Sequence, residues 1–156
     1  GVCNGCQMLS NLKEIIPGSS HWPSFTHNNS NQFEARQVLV KIPKSNSILF
    51  KGMHESIIPI IVSHGEGKVT VSKSNDLKKI TMAYVDDSGK KTTSYPNNPN
   101  GSVSGATGFC NNDGRINIMM PHPERLMHIN NFSWVPPKWK TSPWIKIFHN
   151  AREWVD

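Results

Sequence analysis

The 156-residue sequence has no apolar run long enough to span a bilayer. Its longest run, SIIPIIV over Ser56–Val62, is interrupted by Pro59 and has the length of a buried strand. No succession of basic, apolar and small-residue regions marks a secretory leader. A cytoplasmic setting with no membrane partner is therefore expected. Cysteine is scarce: Cys3, Cys6 and Cys110 are an odd number, which argues against a disulfide scaffold and for a reducing compartment. Cys3 and Cys6 have C-x-x-C spacing, but zinc wants a second ligand pair and Cys110 stands alone, so no metal site is expected. Acidic residues are outnumbered, 11 against 17 Lys and Arg, leaving a formal charge of +6. That excess is scattered in singles and pairs and does not alternate with aromatics, so no nucleic-acid partner is expected.

The segments that remain are a mixture of helix and strand. Val2–Cys3 reads as the end of a strand. Asn4 to Ile16 follows with Met8, Leu9, Leu12, Ile15 and Ile16 at helical spacing, stopped by Pro17-Gly18. Ser19 to Gln32 shows no period. Phe33–Ile42 alternates as a strand; Ile57–Ser63 and Lys68–Ser72 read as strands joined by a tight HGEG turn. ITMAYVDDSGKKTTSY has the form of a hairpin, PNNPNGSVSG is loop, and two short strands flank NNDG. Near the C-terminus, Ser142 and Pro143 are placed to cap a helix whose apolar face is Trp144, Ile147, Phe148, Ala151 and Val155. Four of the five tryptophans lie after residue 130 and are expected to pack this tail onto the domain.

Three short stretches carry chemistry. In GVCNGCQ a strand delivers Cys3 to a helix start, a nucleophile-elbow arrangement in which Gly5 supplies the low bulk of the turn. The positive end of the helix favours thiolate there, and the Asn4 N–H would face a developing oxyanion. In MPHPER, His122 and Glu124 are two apart across a proline, so Glu124 can orient an imidazole that takes the Cys3 proton. In SHGEGK, Gly65 and Gly67 let backbone approach a ligand closely; the spacing matches neither nucleotide-binding loop.

Together these stretches resemble the G-x-C-x-G-x-Q elbow and partner motifs of class I (triad) glutamine amidotransferases. With SNLKEIIPGS, FEAR, YPNNPNGS, IMMPHPER and the PW-x-x-IF-x-NAR tail, the whole chain is similar to the glutaminase domains of the phosphoribosylformylglycinamidine synthase family, in its large single-chain form. The resemblance implies an α/β, flavodoxin-like class I fold. It implies a triad of Cys3, His122 and Glu124, with Asn4 and Gln7 on the elbow and Ser63, Gly65 and Glu66 holding glutamine. It also implies a synthetase domain of the same polypeptide, which uses ATP and magnesium to amidate formylglycinamide ribonucleotide in purine biosynthesis. Neither cofactor is expected in this chain.

Residues 1–156 are expected to form a partial glutaminase domain, beginning at the elbow and missing upstream strands and a Gly-rich oxyanion loop. Weak or no glutaminase activity, and self-association through unpaired strand edges, are the corresponding expectations. A separate glutaminase subunit, another cysteine-triad hydrolase such as a peptidase, and a non-catalytic interaction module are the alternatives.

Overall fold

A computed structural model of the chain describes residues 1–72 and 77–156. The elements are α1 (Asn4–Asn11), β1 (Ser24–Thr26), β2 (Glu34–Lys41), β3 (Ile57–His64), β4 (Lys68–Thr70), β5 (Ile80–Tyr84), β6 (Ala106–Cys110), β7 (Asn117–Met119) and α2 (Ile145–Val155). Short 3₁₀ turns lie between β5 and α2, one of them over Pro123–Leu126. Five strands form one sheet in the order β3-β2-β5-β6-β7, and β1 pairs with β4 in a separate two-stranded sheet.

All pairings between these strands are antiparallel. The mixed α/β class is as expected. A parallel, doubly wound sheet is not formed by the described strands; the one parallel contact is the bridge between Val2 and Met119. The reason is connectivity, because a parallel neighbour needs a helical crossover and the chain from β5 onward returns through turns. The sheet is curled as well, since His122, just beyond β7 at one edge, bridges to Ile61 of β3 at the other.

β2 and β3 pair over eight residues, from Glu34 opposite His64 to Lys41 opposite Ile57. Val38, Val40, Ile58, Ile60 and Val62 alternate onto one face and form the larger core with Phe50, Tyr84 and Trp144. A second core, containing Cys6, Trp22, Phe109, Ile118 and Met120, joins α1 and the β1–β4 pair to the other strands. Met119 belongs to the first core and its neighbours Ile118 and Met120 to the second, as the two-residue period of a strand requires. Pro59 is tolerated in β3 because the strand lies at the end of the sheet order, where a missing N–H breaks no ladder.

Several local expectations change. The helix ends at Asn11 and continues as turns, which leaves Ile15 76% exposed, and within the helix Met8 lies on the outer face, 56% exposed. It buries Cys6 and Ser10 instead, with the Ser10 hydroxyl donating to the Pro23 carbonyl. The HGEG segment does not join a hairpin: β3 pairs with β2 and β4 with β1, so this segment crosses between two sheets. The aperiodic Ser19–Gln32 stretch contains β1, which finds its partner forty-odd residues away. The return arm after Asp86 forms one bridge, Val85 to Lys91, and no strand.

At the C-terminus, Ser142 Oγ accepts from the Trp144 N–H at 3.2 Å and donates to the Leu126 carbonyl, in a turn just ahead of α2. The helix buries Trp144, Ile147 and Asn150, whereas Phe148 and Val155 face solvent. Asn150 takes that place because its amide donates to the Leu49 and Lys51 carbonyls at 2.7 and 2.8 Å. Trp144 is fully buried and its Nε1 donates to the Pro59 carbonyl at 2.8 Å; Trp134 and Trp154 are exposed and pack nothing down. Trp144→Ala should cost about 3–5 kcal/mol of stability by urea unfolding. A loss below about 1 kcal/mol would show that this indole does not brace β3.

Candidate active site

Cys3 stands where the Val2 bridge meets α1. Its N–H donates to the Met119 carbonyl at 2.9 Å and its carbonyl accepts from the Gln7 N–H at 3.1 Å, which holds it between strand and helix. That sharp turn forces φ to +52°, a left-handed conformation costing a non-glycine residue about 1–3 kcal/mol. Gly5 is not where the turn is tight, since a Cβ there would meet nothing within 4 Å. The close approach is at Gly1, whose Cβ would lie 2.6 Å from the Gly5 carbonyl oxygen.

His122 follows β7 by three residues. Its N–H donates to the Ile61 carbonyl at 2.8 Å, and its Nδ1 lies 2.6 Å from Glu124 Oε1. The imidazole is buried while Glu124, in the Pro123–Leu126 turn, is 46% exposed. A carboxylate only accepts, so Nδ1 carries the proton and Nε2 presents a lone pair. Nε2 is buried and makes no hydrogen bond among the described residues. Cys3 Sγ is directed to the Ser63 carbonyl at 3.8 Å and makes no hydrogen bond to His122. The arrangement therefore holds a thiol and an oriented base along the same edge of β3, at the Ser63 and Ile61 carbonyls, with the base Nε2 unpaired.

Burial raises the Cys3 pKa above that of an ordinary thiol; the Asn4 N–H and the Arg125 guanidinium pull it down and Glu124 pushes it up. The net direction is opposite to the one expected from the helix terminus, because desolvation outweighs the partial charge at the end of an eight-residue helix. A thiol that stays protonated needs a base, and Nε2 of His122 has the lone pair for it. Cys6 is inert by comparison, fully enclosed in the second core with its pKa driven far up by burial.

The remaining predicted residues gather at the same place. Asn4 is exposed at the helix start and acts on Cys3 through its backbone N–H. Gln7 Nε2 donates to the Glu66 carbonyl, which ties α1 to the loop after β3. The Ser63 carbonyl faces Cys3, the Gly65 carbonyl accepts from the Asn28 N–H at 2.9 Å, and the Glu66 carboxylate is exposed, 3.4 Å from His27. Gly67 is glycine for a structural reason: a Cβ would lie 2.1 Å from His64 Nε2. No cluster of three or more metal-ligating side chains occurs among the described residues, and no helix is long and apolar enough to cross a membrane.

The sequence profile of the CobB/CobQ-like glutamine amidotransferase domain matches residues 1–155. The chain belongs to that family. In fold the amidotransferase domain is similar to PurLQS from Thermotoga maritima, with a TM-score of 0.74 at 20% sequence identity. That match covers 100% of this chain and 61% of the other.

Composition and spacing did not disclose a set of polar residues behind the amidotransferase site. The FEAR and YPNN stretches meet at Arg36, whose Nη2 lies 2.6 Å from both Glu34 Oε2 and the Tyr95 hydroxyl, with the guanidinium 4.7 Å above the Tyr95 ring. His64, opposite Glu34 in the β2–β3 register, is buried. Burial, and next the nearby His122, lower its pKa to about 4. An Asn-rich loop and a His just ahead of a Gly pair read as turn formers in sequence, and only the tertiary fold buries them.

Two outcomes follow from these ionisations. The unfolded chain binds a proton at His64 that the fold refuses, so stability should fall as pH drops from about 6.5 to about 4, by on the order of 3 kcal/mol. Urea unfolding across that window should give a shallower acid slope for His64→Gln; identical slopes would contradict it. The rate of Cys3 alkylation by iodoacetamide, read by peptide mass spectrometry, should have its pH midpoint above that of an ordinary thiol. Glu124→Gln should lower that midpoint and Arg125→Leu should raise it; reversed shifts would be inconsistent with the charge arrangement.

Proposed function

We propose that this domain hydrolyses the side-chain amide of glutamine to glutamate and ammonia through a covalent glutamyl thioester on Cys3. The observation that carries the proposal is the pairing of a left-handed Cys3 at a strand–helix elbow with a His122 whose Nδ1 is fixed by Glu124 and whose Nε2 is free. Membership in a glutamine amidotransferase family supports the choice of substrate.

In this reading His122 Nε2 takes the thiol proton as Sγ bonds to the amide carbon. The tetrahedral adduct collapses with the proton passing from His122 to the departing nitrogen, which leaves as ammonia. Water then adds to the thioester carbon and gives a proton to His122 Nε2; the C–S bond breaks to release glutamate, and that proton passes from His122 to Sγ, restoring the thiol and the free base. The Asn4 N–H donates to the oxyanion at both stages. Gln7, Ser63, Gly65 and Glu66 hold the amino-acid end of glutamine, Gln7 and the loop being already joined through the Glu66 carbonyl.

The same proposal extends to the rest of the reaction. The ammonia serves a synthetase component that amidates formylglycinamide ribonucleotide with ATP and magnesium, in purine biosynthesis. The sequence resemblance of the elbow, MPHPER and YPNNPNGS stretches supports this, as does the likeness in fold to PurLQS. The corresponding fold is the class I, flavodoxin-like one, to which the parallel pairing of Val2 on Met119 would contribute its nucleophile strand.

Glutamate release by this domain in the presence of its synthetase component tests the function. Cys3→Ser should abolish it, and His122→Asn and Glu124→Gln should slow it, the former by about 100-fold or more. A glutamine-analogue electrophile should label Cys3 and spare Cys6 and Cys110, whereas a peptide aldehyde should not label. Labelling by the aldehyde alone would favour a peptidase and overturn the proposal.

A further inference from the structure

Behind the loop that follows β3 lies a chain of hydrogen bonds that fixes its own polarity. Asn100 is fully buried, and its Oδ1 accepts from the Ser102 backbone N–H at 3.1 Å and from the Ser102 hydroxyl at 2.7 Å. The Gly67 carbonyl, 2.8 Å from the other amide atom, can only accept, so that atom is Nδ2; it also faces the Tyr84 hydroxyl at 3.2 Å and His64 Nε2 at 3.1 Å. That nitrogen must accept, and the neutral ring therefore carries its proton on Nδ1. His64 Nδ1 is buried, and the Met120 backbone is the group that interacts with the ring from β7's side.

The same Asn100 Nδ2 donates to the Gly67 carbonyl at 2.8 Å, and the His64 ring fills the space a Cβ at Gly67 would need. Asn28 holds the other end: its Nδ2 donates to the His64 carbonyl at 2.7 Å and its Oδ1 accepts from the Gly67 N–H at 3.0 Å. Four of these bonds, two from Asn100 and two from Asn28, end on the segment from His64 to Gly67. That segment begins next to the Ser63 carbonyl, which faces Cys3, and its Glu66 carbonyl is held by Gln7.

We propose that the buried Asn100–His64 pair is a positioning device that holds the Ser63–Gly67 loop in the conformation that binds the amino-acid end of the substrate against Cys3. Neither residue touches the reacting atoms; both act through the backbone of Gly67. The kinetic consequence rests on glutamine being the substrate. Loss of the clamp should weaken substrate binding and leave the thiol–imidazole chemistry intact, so it should appear in KM and not in kcat. The acceptor at Nε2 is the required atom, so a side chain that supplies one at that reach should rescue.

The test compares His64→Leu with His64→Gln in the full chain. His64→Leu should raise KM for glutamine about tenfold or more with kcat within about threefold, and His64→Gln should stay within about threefold in both. In parallel, amide hydrogen exchange at Gly67 should quicken about tenfold or more in His64→Leu and be little changed in His64→Gln. If His64→Leu does not fold, Asn100→Ser removes the donor and reads the same two quantities. A folded variant lacking the pair with unchanged Gly67 exchange would overturn the proposal, as would a Gln variant as impaired as Leu. If the unaltered domain, assayed together with its synthetase component, releases no glutamate, the proposed function fails, and exchange at Gly67 still decides whether the clamp exists.

Discussion

The free edge of β3 is the constraint on which the rest of the structure depends. A strand at the end of a sheet presents carbonyls that a neighbour does not satisfy, and burying them unpaired costs free energy comparable to a lost hydrogen bond. Here the alternate carbonyls of Pro59, Ile61 and Ser63 are met by three different parts of the chain. The Trp144 indole takes the first, the His122 backbone N–H takes the second, and the Cys3 thiol is directed at the third. The C-terminal helix, the base and the thiol are thereby aligned along one strand edge at two-residue intervals. β7 supplies the other reference, since Met119 holds the Cys3 backbone and His122 lies three residues farther on.

Within this frame the site is tuned more by burial than by charge. Cys3 sits at a helix start with Arg125 in reach, yet desolvation raises its pKa. His64 is held neutral by the same effect. A partial charge at the end of a short helix is worth a fraction of what removing water costs an ionised group. The result is a thiol raised in pKa and directed at the Ser63 carbonyl, on the same strand edge as an imidazole whose Nε2 is unpaired. The left-handed backbone at Cys3 is the local strain that the strand on one side and the helix on the other together impose.

Much of this was legible in the sequence where a signal is local. The β2 and β3 segments show themselves because both alternate against one core. The His122–Glu124 pair is legible because two residues across a proline have few places to point. The expected faces near α1 and α2 hold in part, with Leu9, Ile16, Trp144 and Ile147 packed inward, and fail elsewhere for a common reason. Apolar spacing marks Met8, Ile15, Phe148 and Val155, but the packing partners prefer Ser10 and Asn150, whose side chains satisfy carbonyls that no apolar group could. The HGEG segment looked like a hairpin turn because its length and glycines suit one. Its strands pair elsewhere, with β2 and with β1, at separations no local pattern reports.

Sequence alone marked out the candidate groups, a cysteine at an elbow, a histidine with its carboxylate and a glycine-bearing loop, and determined the mixed α/β class. These depend on side-chain chemistry and short spacing, which the order of residues carries directly. Tertiary structure decided the antiparallel course of the sheet, the alignment of thiol and base along β3, the upward shift of the Cys3 pKa and the burial of Asn100 against His64. Each of those follows from contacts between residues distant in the chain, and from the removal of water that such contacts bring.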